Sequence, residues 1–535
     1  MEDTGRGVLP KRHQKLFHST LAVALPTILS RAFGFLRDVI QAFYMGTGRS
    51  MDAFTIAYVI PNLLRRLSGE GAMTAAFIPV FTQIKKEKTK AELWRFANIF
   101  FYDLTLLMAL VTVLGIVASP LLVKIIGLGF KDIAGKWELT TSLTRIMFPY
   151  IFLISLAALA MAILNAFHKF FVPALTPVLF NLAIITAALF LANKVAEPAY
   201  VFAGGVVAGG VLQLGLQLPF LWKQGMRFTP LLSFRHPAVR KVGKLMIPGI
   251  FGVGISQINF ALSRMIASLL EEGSVSSLYF ASRVQEFTLG IFSIALSIAL
   301  LPTLSEYAAE KDIDSIKATL GFSFKLIFFV TIPAAIGLLV LNREIIEVLF
   351  QRGLFNAQST TMSAQCLLYF SLSLPFLSGV KIMAPAFYSL KDTKTPVIVA
   401  FWVMIAYLLL SVILMRPLRV GGIALALSLA SALNFGLLFY LLERKIGVLS
   451  KKPLLVSAGK ALVSAAIMGG GVSCLILRVG FNTATPVGKV GLLALVVASG
   501  IMVYFLLQWL INRDEAREVV KLFQWRLSPG KEKEK

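Results

Sequence analysis

The sequence is poor in charged residues for its length. Asp, Glu, Lys and Arg make up 15% of its 535 residues, and hydrophobic residues make up 57%. A soluble domain is nearer 45–50% apolar and about 25% charged. No stretch between the apolar segments is long enough for a separate soluble domain. The composition therefore excludes a globular enzyme held by one anchor and predicts an all-α polytopic membrane protein.

Cysteine and histidine are also scarce, which leaves little material for a disulfide or a metal centre. Cys366 and Cys474 are the two cysteines, and both fall in apolar segments, where we interpret them as small buried hydrophobic residues. The four histidines have no metal-ligand spacing, and no cluster of carboxylates or phosphatase signature is evident. An intramembrane glycosyltransferase or lipid pyrophosphatase is thus disfavoured, and we predict neither an enzyme nor a cofactor.

Acidic residues are outnumbered, with 27 Asp and Glu against 52 Lys and Arg and a net charge of +25. In a soluble protein this excess would suggest nucleic acid. Here the basic residues are spread over many loops, as the positive-inside rule requires, so no nucleic-acid partner is predicted. Their distribution favours a cytoplasmic membrane protein with both termini in the cytoplasm, and residues 513–535 form a basic cytoplasmic tail.

The sequence consists mainly of long apolar runs. At about 20 residues per span, we count about 14 transmembrane helices. The segments are 16–44, 53–84, 95–125, 139–167, 173–193, 199–222, 242–271, 275–307, 317–350, 360–390, 395–415, 419–442, 454–478 and 486–512. The second segment is long and contains Pro61, which predicts a broken helix whose freed backbone groups face a cavity.

A weak internal repeat organises these segments. Thr176-Pro177-Val178 matches Thr395-Pro396-Val397, and Pro26 matches Pro248, with offsets near 220 residues. The offset predicts two parallel six-helix lobes with a substrate site between them near the membrane midplane. The lobes are residues 1–225 and 226–446, and the helices of residues 447–512 fall outside the repeat.

Charged side chains lie inside the first two segments. These are Arg31, Arg37 and Asp38 in the first, and Arg65 and Arg66 in the second, with Asp52 at the start of the second. An arginine at the bilayer centre costs roughly 2.5–3.5 kcal/mol on insertion scales, so such residues line a cavity or pair with one another. Structural ion pairing, such as Arg37 with Asp38, is the alternative interpretation for part of this set.

The seventh and eighth segments add further charge. Arg264 lies near the middle of segment seven, and Arg283 and Glu286 are spaced i,i+3 on segment eight, where they can pair along one helix. Because arginines outnumber the nearby carboxylates, the pattern predicts a cationic chamber. Guanidinium groups bind phosphate and carboxylate in a two-pronged geometry, so the cargo is expected to be anionic.

These residues resemble the motifs of a known family, the MurJ (MviN) lipid II flippases of the MOP flippase superfamily. The matching runs are Ser30-Arg31, Gly34-Phe35, Arg37-Asp38, Asp52-Ala53-Phe54, Pro61-Asn62-Leu63-Leu64-Arg65-Arg66, Gly69-Glu70-Gly71 and Ala76-Phe77-Ile78-Pro79. Later runs such as Leu349-Phe350-Gln351-Arg352-Gly353 agree. The resemblance implies a fourteen-helix fold and a cargo of undecaprenyl-pyrophosphate-linked glycopeptide moved outward for cell-wall synthesis.

The resemblance also implies roles for individual residues. Substrate binding is expected of Arg31, Arg37, Arg65, Arg264 and Arg283, and an essential or gating charge of Asp52, Glu70 and Glu286. Ser263 and Ser282 stand where relatives often carry an acidic residue, a departure that bears on any cation site. Asp52 is expected to act as the gate partner of a basic residue when the outer side is closed.

The expected mechanism is alternating access, coupled to the membrane potential or to a monovalent cation. The polyprenyl tail would stay in lipid along a groove formed by helices 13 and 14 in residues 447–512. Membrane lipids and cell-wall synthesis proteins are the further candidate partners. Two alternatives stay open: a flippase for another polyprenyl-linked glycan, and a MATE-like antiporter.

Overall fold

The computed structural model describes residues 11–65, 72–479, 481, 485–513 and 515–517. All regular secondary structure in these ranges is helical, and they contain no strand. The α-helices are α1 Lys11–Met45, α2 Arg49–Arg65, α3 Ala72–Glu87, α4 Lys90–Ile126, α5 Lys136–Met147, α6 Pro149–Ala166, α7 Phe171–Leu191, α8 Pro198–Lys223, α9 Pro237–Ala267, α10 Ser274–Glu310, α11 Ile313–Val340, α12 Asn342–Phe350, α13 Ala357–Ser371, α14 Leu374–Ser389, α15 Lys394–Leu418, α16 Val420–Ile446, α17 Lys451–Arg478 and α18 Pro486–Ile511.

Many of these helices are long and apolar enough to cross a membrane. Nine meet that condition within the described ranges, and the number rises to eleven if each of two bent helix pairs counts as one span. The all-α polytopic class is therefore confirmed, whereas the count of fourteen stays a prediction. Each of the fourteen segments nevertheless falls on one helix or on two consecutive helices.

Two of the helix pairs show how long segments are broken. The second segment divides into α2 and α3, and residues 66–71 between them lie outside the described ranges. In the tenth segment, α13 and α14 meet at an angle of 48° after Ser371. Broken helices at membrane depth are tolerated where the freed backbone groups face protein or a water-filled cavity.

The chain folds into two compact units that meet in sequence between Val275 and Ser276. The first unit contains α1 to α9 and the second contains α10 to α18. The repeat had placed the seventh segment, now α9, in the lobe of residues 226–446, and this assignment of lobes stays a prediction. By its contacts α9 packs with α3 and α4 of the first unit.

The first unit has an aromatic core where α3 and α4 pack together. Phe77 stacks on Phe96 with ring centroids 5.6 Å apart, and both rings are fully enclosed. On the other side of the unit, α8 approaches α7 through Gly209, where a Cβ atom would lie only 2.7 Å from the Phe180 ring. Small residues at such positions let membrane helices approach closely.

A hydrophobic core of the second unit joins α11 to α17 and α18. The hydroxyl of Tyr504 donates to the backbone carbonyl of Phe329 at 2.7 Å, among the apolar side chains Met468 and Val472. Cys366 is buried, as predicted, but the expectation that Cys474 is buried was wrong. The reason is that α17 packs on one side only and leaves its other face exposed.

Candidate functional site

A buried ion pair joins the start of α2 to the start of α5. The Oδ2 atom of Asp52 accepts a hydrogen bond from Nζ of Lys136 at 2.8 Å, and each side chain is 1% exposed. The ammonium group also lies 4.3 Å from the centre of the Phe130 ring. Asp52 therefore pairs with a basic residue, Lys136, whereas its role as a gate stays a prediction.

The same carboxylate holds the loop that follows α9. Asp52 Oδ2 accepts a second hydrogen bond, from the backbone N–H of Gly273 at 2.8 Å. Gly273 has φ +91°, and a Cβ atom there would lie 2.5 Å from the Thr47 carbonyl, so only glycine fits. Its neighbour Glu272 accepts from the backbone N–H of Arg49 at 2.7 Å, where a carboxylate also suits the positive end of α2. We call Asp52, Lys136 and Gly273 the outer cluster, after the outer gate that the sequence predicted for Asp52.

Arg37 is held by two acceptors on α1 and α7. Its Nε and Nη2 donate to Asp38 Oδ1 at 3.1 and 2.7 Å, and its Nη1 donates to Asn181 Oδ1 at 3.1 Å. Asn181 in turn donates from Nδ2 to the Ser30 carbonyl at 3.2 Å. The Arg37–Asp38 pair thus forms as the pairing interpretation expected, and Asn181 fixes the plane of the guanidinium.

Arg31 and Arg65 have different surroundings. Arg31 is exposed on α1, and within the ranges that the structure describes it has no hydrogen bond or ion pair. Arg65 ends α2 and donates from Nε and Nη2 to Asn62 Oδ1 of its own helix, at 3.2 and 3.0 Å. Arg66 and Glu70, which the sequence also singled out, lie outside the described ranges.

Arg264 lies in the last turn of α9, not near the middle of its segment as the sequence suggested, because the helix ends at Ala267. Its side chain is buried. The guanidinium carbon lies 3.4 Å from the centre of the Phe260 ring, and Nη1 donates to Ser263 Oγ at 3.0 Å. A stacked, desolvated guanidinium of this kind is more weakly hydrated than an ammonium and suits an anion-binding wall.

In the second unit, the predicted i,i+3 pair of α10 forms. Arg283 Nη1 donates to Glu286 Oε2 at 3.0 Å, and Nη2 donates to the Tyr279 hydroxyl at 3.3 Å. Both charged side chains keep substantial exposure, 29% for Arg283 and 47% for Glu286, so the pair is open to solvent. The sequence detected this pair because helical spacing alone brings the two residues together.

Three residues near these charges were missed by the sequence-based reasoning. Lys136 and Asn181 contact predicted residues across long sequence separations, and Lys381 on α14 interacts electrostatically with Glu286. Lys381 is half-buried, and no hydrogen bond or ion pair to another described residue is found for it. Its position inside the apolar run of residues 374–389 was the available signal.

The all-helical architecture is that of a polytopic membrane protein with the fold of the MOP superfamily of transporters. The structure resembles an inward-facing MATE multidrug transporter of that superfamily with a TM-score of 0.67, at 11% identity over 81% of this chain and 99% of that one, a likeness of fold alone. The chain belongs to the lipid II flippase MurJ family, whose model matches residues 41–487. That family is one of transporters, not of enzymes.

Individual relatives agree with the family. A probable lipid II flippase MurJ of Vibrio cholerae is 38% identical over 437 residues, covering 80% of this chain and 82% of its own length. The lipid II flippase MurJ of Burkholderia cenocepacia is 34% identical over 511 residues, covering 93% and 98%. A solved structure of a lipid II flippase MurJ in an inward closed conformation matches with a TM-score of 0.78 at 26% identity, covering 92% and 99%.

Proposed function

We propose that this protein flips lipid II, the lipid-linked peptidoglycan precursor, from the inner to the outer leaflet of the cytoplasmic membrane. The observation that carries the proposal is a set of arginines on helices of a membrane protein, in a chain whose relatives bear the name of lipid II flippases. The set is Arg31, Arg37, Arg65, Arg264 and Arg283. Binding of a pyrophosphate-carrying cargo explains why these charged residues lie in apolar helices.

The arginines bind the pyrophosphate of the cargo. Each guanidinium presents several N–H donors in a fixed fork that matches phosphate oxygens. Arg31 is exposed and offers its whole fork, whereas Asn181 and Asp38 orient Arg37 by occupying part of its donors. The polyprenyl tail stays in lipid along α17 and α18, whose outer faces are apolar and exposed.

The outer cluster acts as a gate in alternating access. Asp52 joins α2, α5 and the loop after α9 through two hydrogen bonds to one oxygen, which supports an outer side closed by these contacts. Release of the carboxylate from Lys136 and Gly273 opens it. Because the pair is fully desolvated, breaking it is costly, and the cost is offset by cargo binding in the chamber.

Complementation tests the cargo. Cells depleted of their own lipid II flippase are supplied with the wild-type chain, with Arg31→Ala or with Arg283→Ala, all at matched expression. We expect the wild type to restore growth and both variants to fail. Purified protein in vesicles then moves fluorescent lipid II at a rate that unlabelled lipid II reduces.

Two other transport functions predict different outcomes of the same assays. A flippase for another polyprenyl-linked glycan moves that glycan, fails to rescue the depleted cells and is not inhibited by lipid II. A MATE-like antiporter moves organic cations, and the arginine set disfavours this because it repels them. The proposal also includes coupling to the membrane potential or a monovalent cation. It places both termini in the cytoplasm and includes association with cell-wall synthesis proteins.

A further inference from the structure

The connection between α8 and α9 is a segment without helix or strand that packs on α4. We call residues 225–236 the strap. It starts at Gly225, whose φ of +104° places the chain against the Trp94 indole, where a Cβ atom would be 3.2 Å from Nε1. It ends at His236, whose Nδ1 accepts from the Ala238 N–H at 3.3 Å and caps the start of α9. The strap thus sets where α9 begins.

Two buried side chains of α4 hold the backbone of the strap. Asn98 Oδ1 accepts from the Thr229 N–H at 3.1 Å, and Asp103 Oδ1 accepts from the Ser233 N–H at 2.9 Å. Both side chains are almost wholly enclosed, at 4% and 3% exposure. Asn98 also donates from Nδ2 to the Trp94 carbonyl at 2.9 Å, which fixes the orientation of its amide.

Aromatic contacts add to these hydrogen bonds on either side. Phe228 of the strap lies against Phe101 of α4 with ring centroids 5.4 Å apart, and the His236 ring lies 5.9 Å from the Phe96 ring. The strap is therefore attached to α4 at successive points along its length. Backbone groups that would otherwise lack partners beside a membrane helix are satisfied by this arrangement.

Asp103 is an unusual choice for this task. It stands in α4, one of the helices apolar enough to cross a membrane, where a carboxylate is costly. Its Oδ2 atom is buried and has no hydrogen-bond partner in the described part of the chain. A serine or asparagine would satisfy one N–H at lower cost. A carboxylate instead accepts a charge-assisted hydrogen bond from the strap, which is stronger than a bond to a neutral acceptor.

We infer that Asn98 and Asp103 form a clamp that keeps the strap on α4 throughout the transport cycle and so positions α9. They are positioning residues, because they act through α9, which carries Arg264, and touch no cargo themselves. If the strap instead had to leave α4 in each cycle, a weaker contact than a buried carboxylate would serve better. The transport readout of this inference rests on the proposed function, whereas its exchange readout does not.

Hydrogen exchange tests the clamp directly in the full-length protein in nanodiscs. Asp103→Leu removes the acceptor, and we expect the Ser233 amide to exchange at least about tenfold faster. Asp103→Asn keeps an acceptor but loses the charge, so exchange at Ser233 should lie between that of the wild type and that of Asp103→Leu. Ser119→Ala is the matched control, since it removes a buried hydrogen bond of α4 to the Gly115 carbonyl far from the strap. Unchanged exchange at Ser233 in Asp103→Leu would overturn the clamp.

Crosslinking tests whether the clamp stays closed during transport. Phe101→Cys and Phe228→Cys are combined in a chain with Cys366→Ala and Cys474→Ala, and the pair is joined with a short bifunctional thiol reagent. We expect the joined protein to flip lipid II at a rate within about twofold of that of the unjoined protein. In the Asp103→Leu variant, joining should restore the rate of flipping. Loss of flipping on joining overturns the inference, because the strap must then release.

Asn98→Leu provides a second test of the clamp if Asp103→Leu is not monodisperse. It should raise exchange at the Thr229 amide in the same way. Failure of the proposed function looks different from failure of the clamp. If the proposed function is wrong, the unjoined parent does not move lipid II at all, while protection of the Ser233 amide persists.

Discussion

The Oδ2 atom of Asp52 lies 2.8 Å from Nζ of Lys136, and neither side chain reaches solvent. The same oxygen accepts the Gly273 N–H at 2.8 Å, so one atom joins three parts of the first unit. A buried charge pair contributes little net stability against an apolar pair of the same shape, but removal of one partner leaves a costly unpaired charge. This asymmetry makes the outer cluster a sensitive place for substitution.

Neutralising one member of the outer cluster should disable transport. Asp52→Ala leaves Lys136 buried without its carboxylate and removes the Oδ2 acceptor of the Gly273 N–H, and Lys136→Met removes the ammonium group from beside the buried carboxylate. Removal of one partner of a buried pair costs about 3–5 kcal/mol. We expect each variant to fail complementation and to lower the thermal stability of the purified protein by several degrees.

Paired substitutions provide the controls for the outer cluster. Asp52→Asn with Lys136→Gln keeps a donor and an acceptor without charge, and should recover much of the stability. The charge swap Asp52→Lys with Lys136→Asp should recover less, because lysine cannot accept from the Gly273 N–H. Arg49→Gln with Glu197→Gln alters a more exposed pair and should cost no more than about 1 kcal/mol. Full activity of Asp52→Ala would contradict the gate.

Helical spacing explains which contacts the sequence could reveal. The Arg283–Glu286 pair was predictable because three residues along one helix fix the geometry. Lys136 was not, because it lies 84 residues from Asp52 and opens a short amphipathic helix outside the strongest apolar run. Such contacts depend on how the helices pack. A single sequence does not reveal the distance between segments that are remote along the chain.

The same reasoning separates the broad fold from its details. Long apolar runs predicted helices in all fourteen segments because hydrophobicity is a local property. Arg264 was placed near the middle of a span because the apolar run extends past Ala267, whereas the helix stops there and a turn leads to Gly273. Likewise the backbone role of Asp103 is invisible in sequence, because its partner at Ser233 is a main-chain N–H.

Arg37 should not tolerate replacement by lysine. Its guanidinium bonds Asp38 with two nitrogens and Asn181 with a third, a geometry that one ammonium cannot reproduce. We expect Arg37→Lys to reduce lipid II flipping at least about tenfold, and Asn181→Leu to reduce it less, since two of the three bonds persist. Both are measured in vesicles at matched protein density.

Asn181→Asp is the informative companion to that experiment. It keeps an acceptor for Arg37 but adds a second carboxylate beside the guanidinium, which competes with an anionic cargo. We expect weaker lipid II binding and some loss of stability, because an aspartate cannot donate to the Ser30 carbonyl. Binding as tight as that of the wild type would show that Arg37 does not face the cargo.

Lys381 should contribute to anion binding in the second unit. It is half-buried on α14 and interacts electrostatically with Glu286, which is itself paired with Arg283. Lys381→Met removes one positive charge from this group, and we expect lipid II affinity to fall several-fold while Lys381→Arg stays near the wild type. Lys325→Met on α11 serves as the matched control and should leave affinity unchanged. Equal loss in both methionine variants would argue against a specific role.

A loop carboxylate outside the membrane helices gives a prediction for pH. Although burial opposes it, hydrogen bonds from Lys445 and Thr395 lower the pKa of Asp392 well below its ordinary value. A lowered pKa contributes stability that is present above the unfolded value of about 3.9 and is lost as the pH falls below it. We expect Asp392→Asn to lower the melting temperature equally between pH 5 and 8.

That difference should shrink only in acid. Below about pH 4 the unfolded state of the wild type is already protonated, and the advantage of an ionised Asp392 decreases towards zero. Thr395→Val, which removes one hydrogen bond to the carboxylate, should give a smaller difference with the same pH dependence. A difference that is constant down to pH 3 would show that Asp392 acts through shape and not through charge.

The membrane potential should drive net outward movement of the cargo. A pyrophosphate cargo with a charge of about −2 gains roughly 4–5 kcal/mol on crossing 100 mV, inside negative, at about 2.3 kcal/mol per charge. We expect the rate of lipid II flipping in potassium-loaded vesicles to rise when valinomycin sets such a potential and to fall when its sign is reversed. Binding to the arginines partly neutralises the cargo and reduces this dependence, so Arg31→Gln should make the rate more sensitive to potential in the loaded step. Equal rates at zero and 100 mV would assign the driving force to a cation gradient instead.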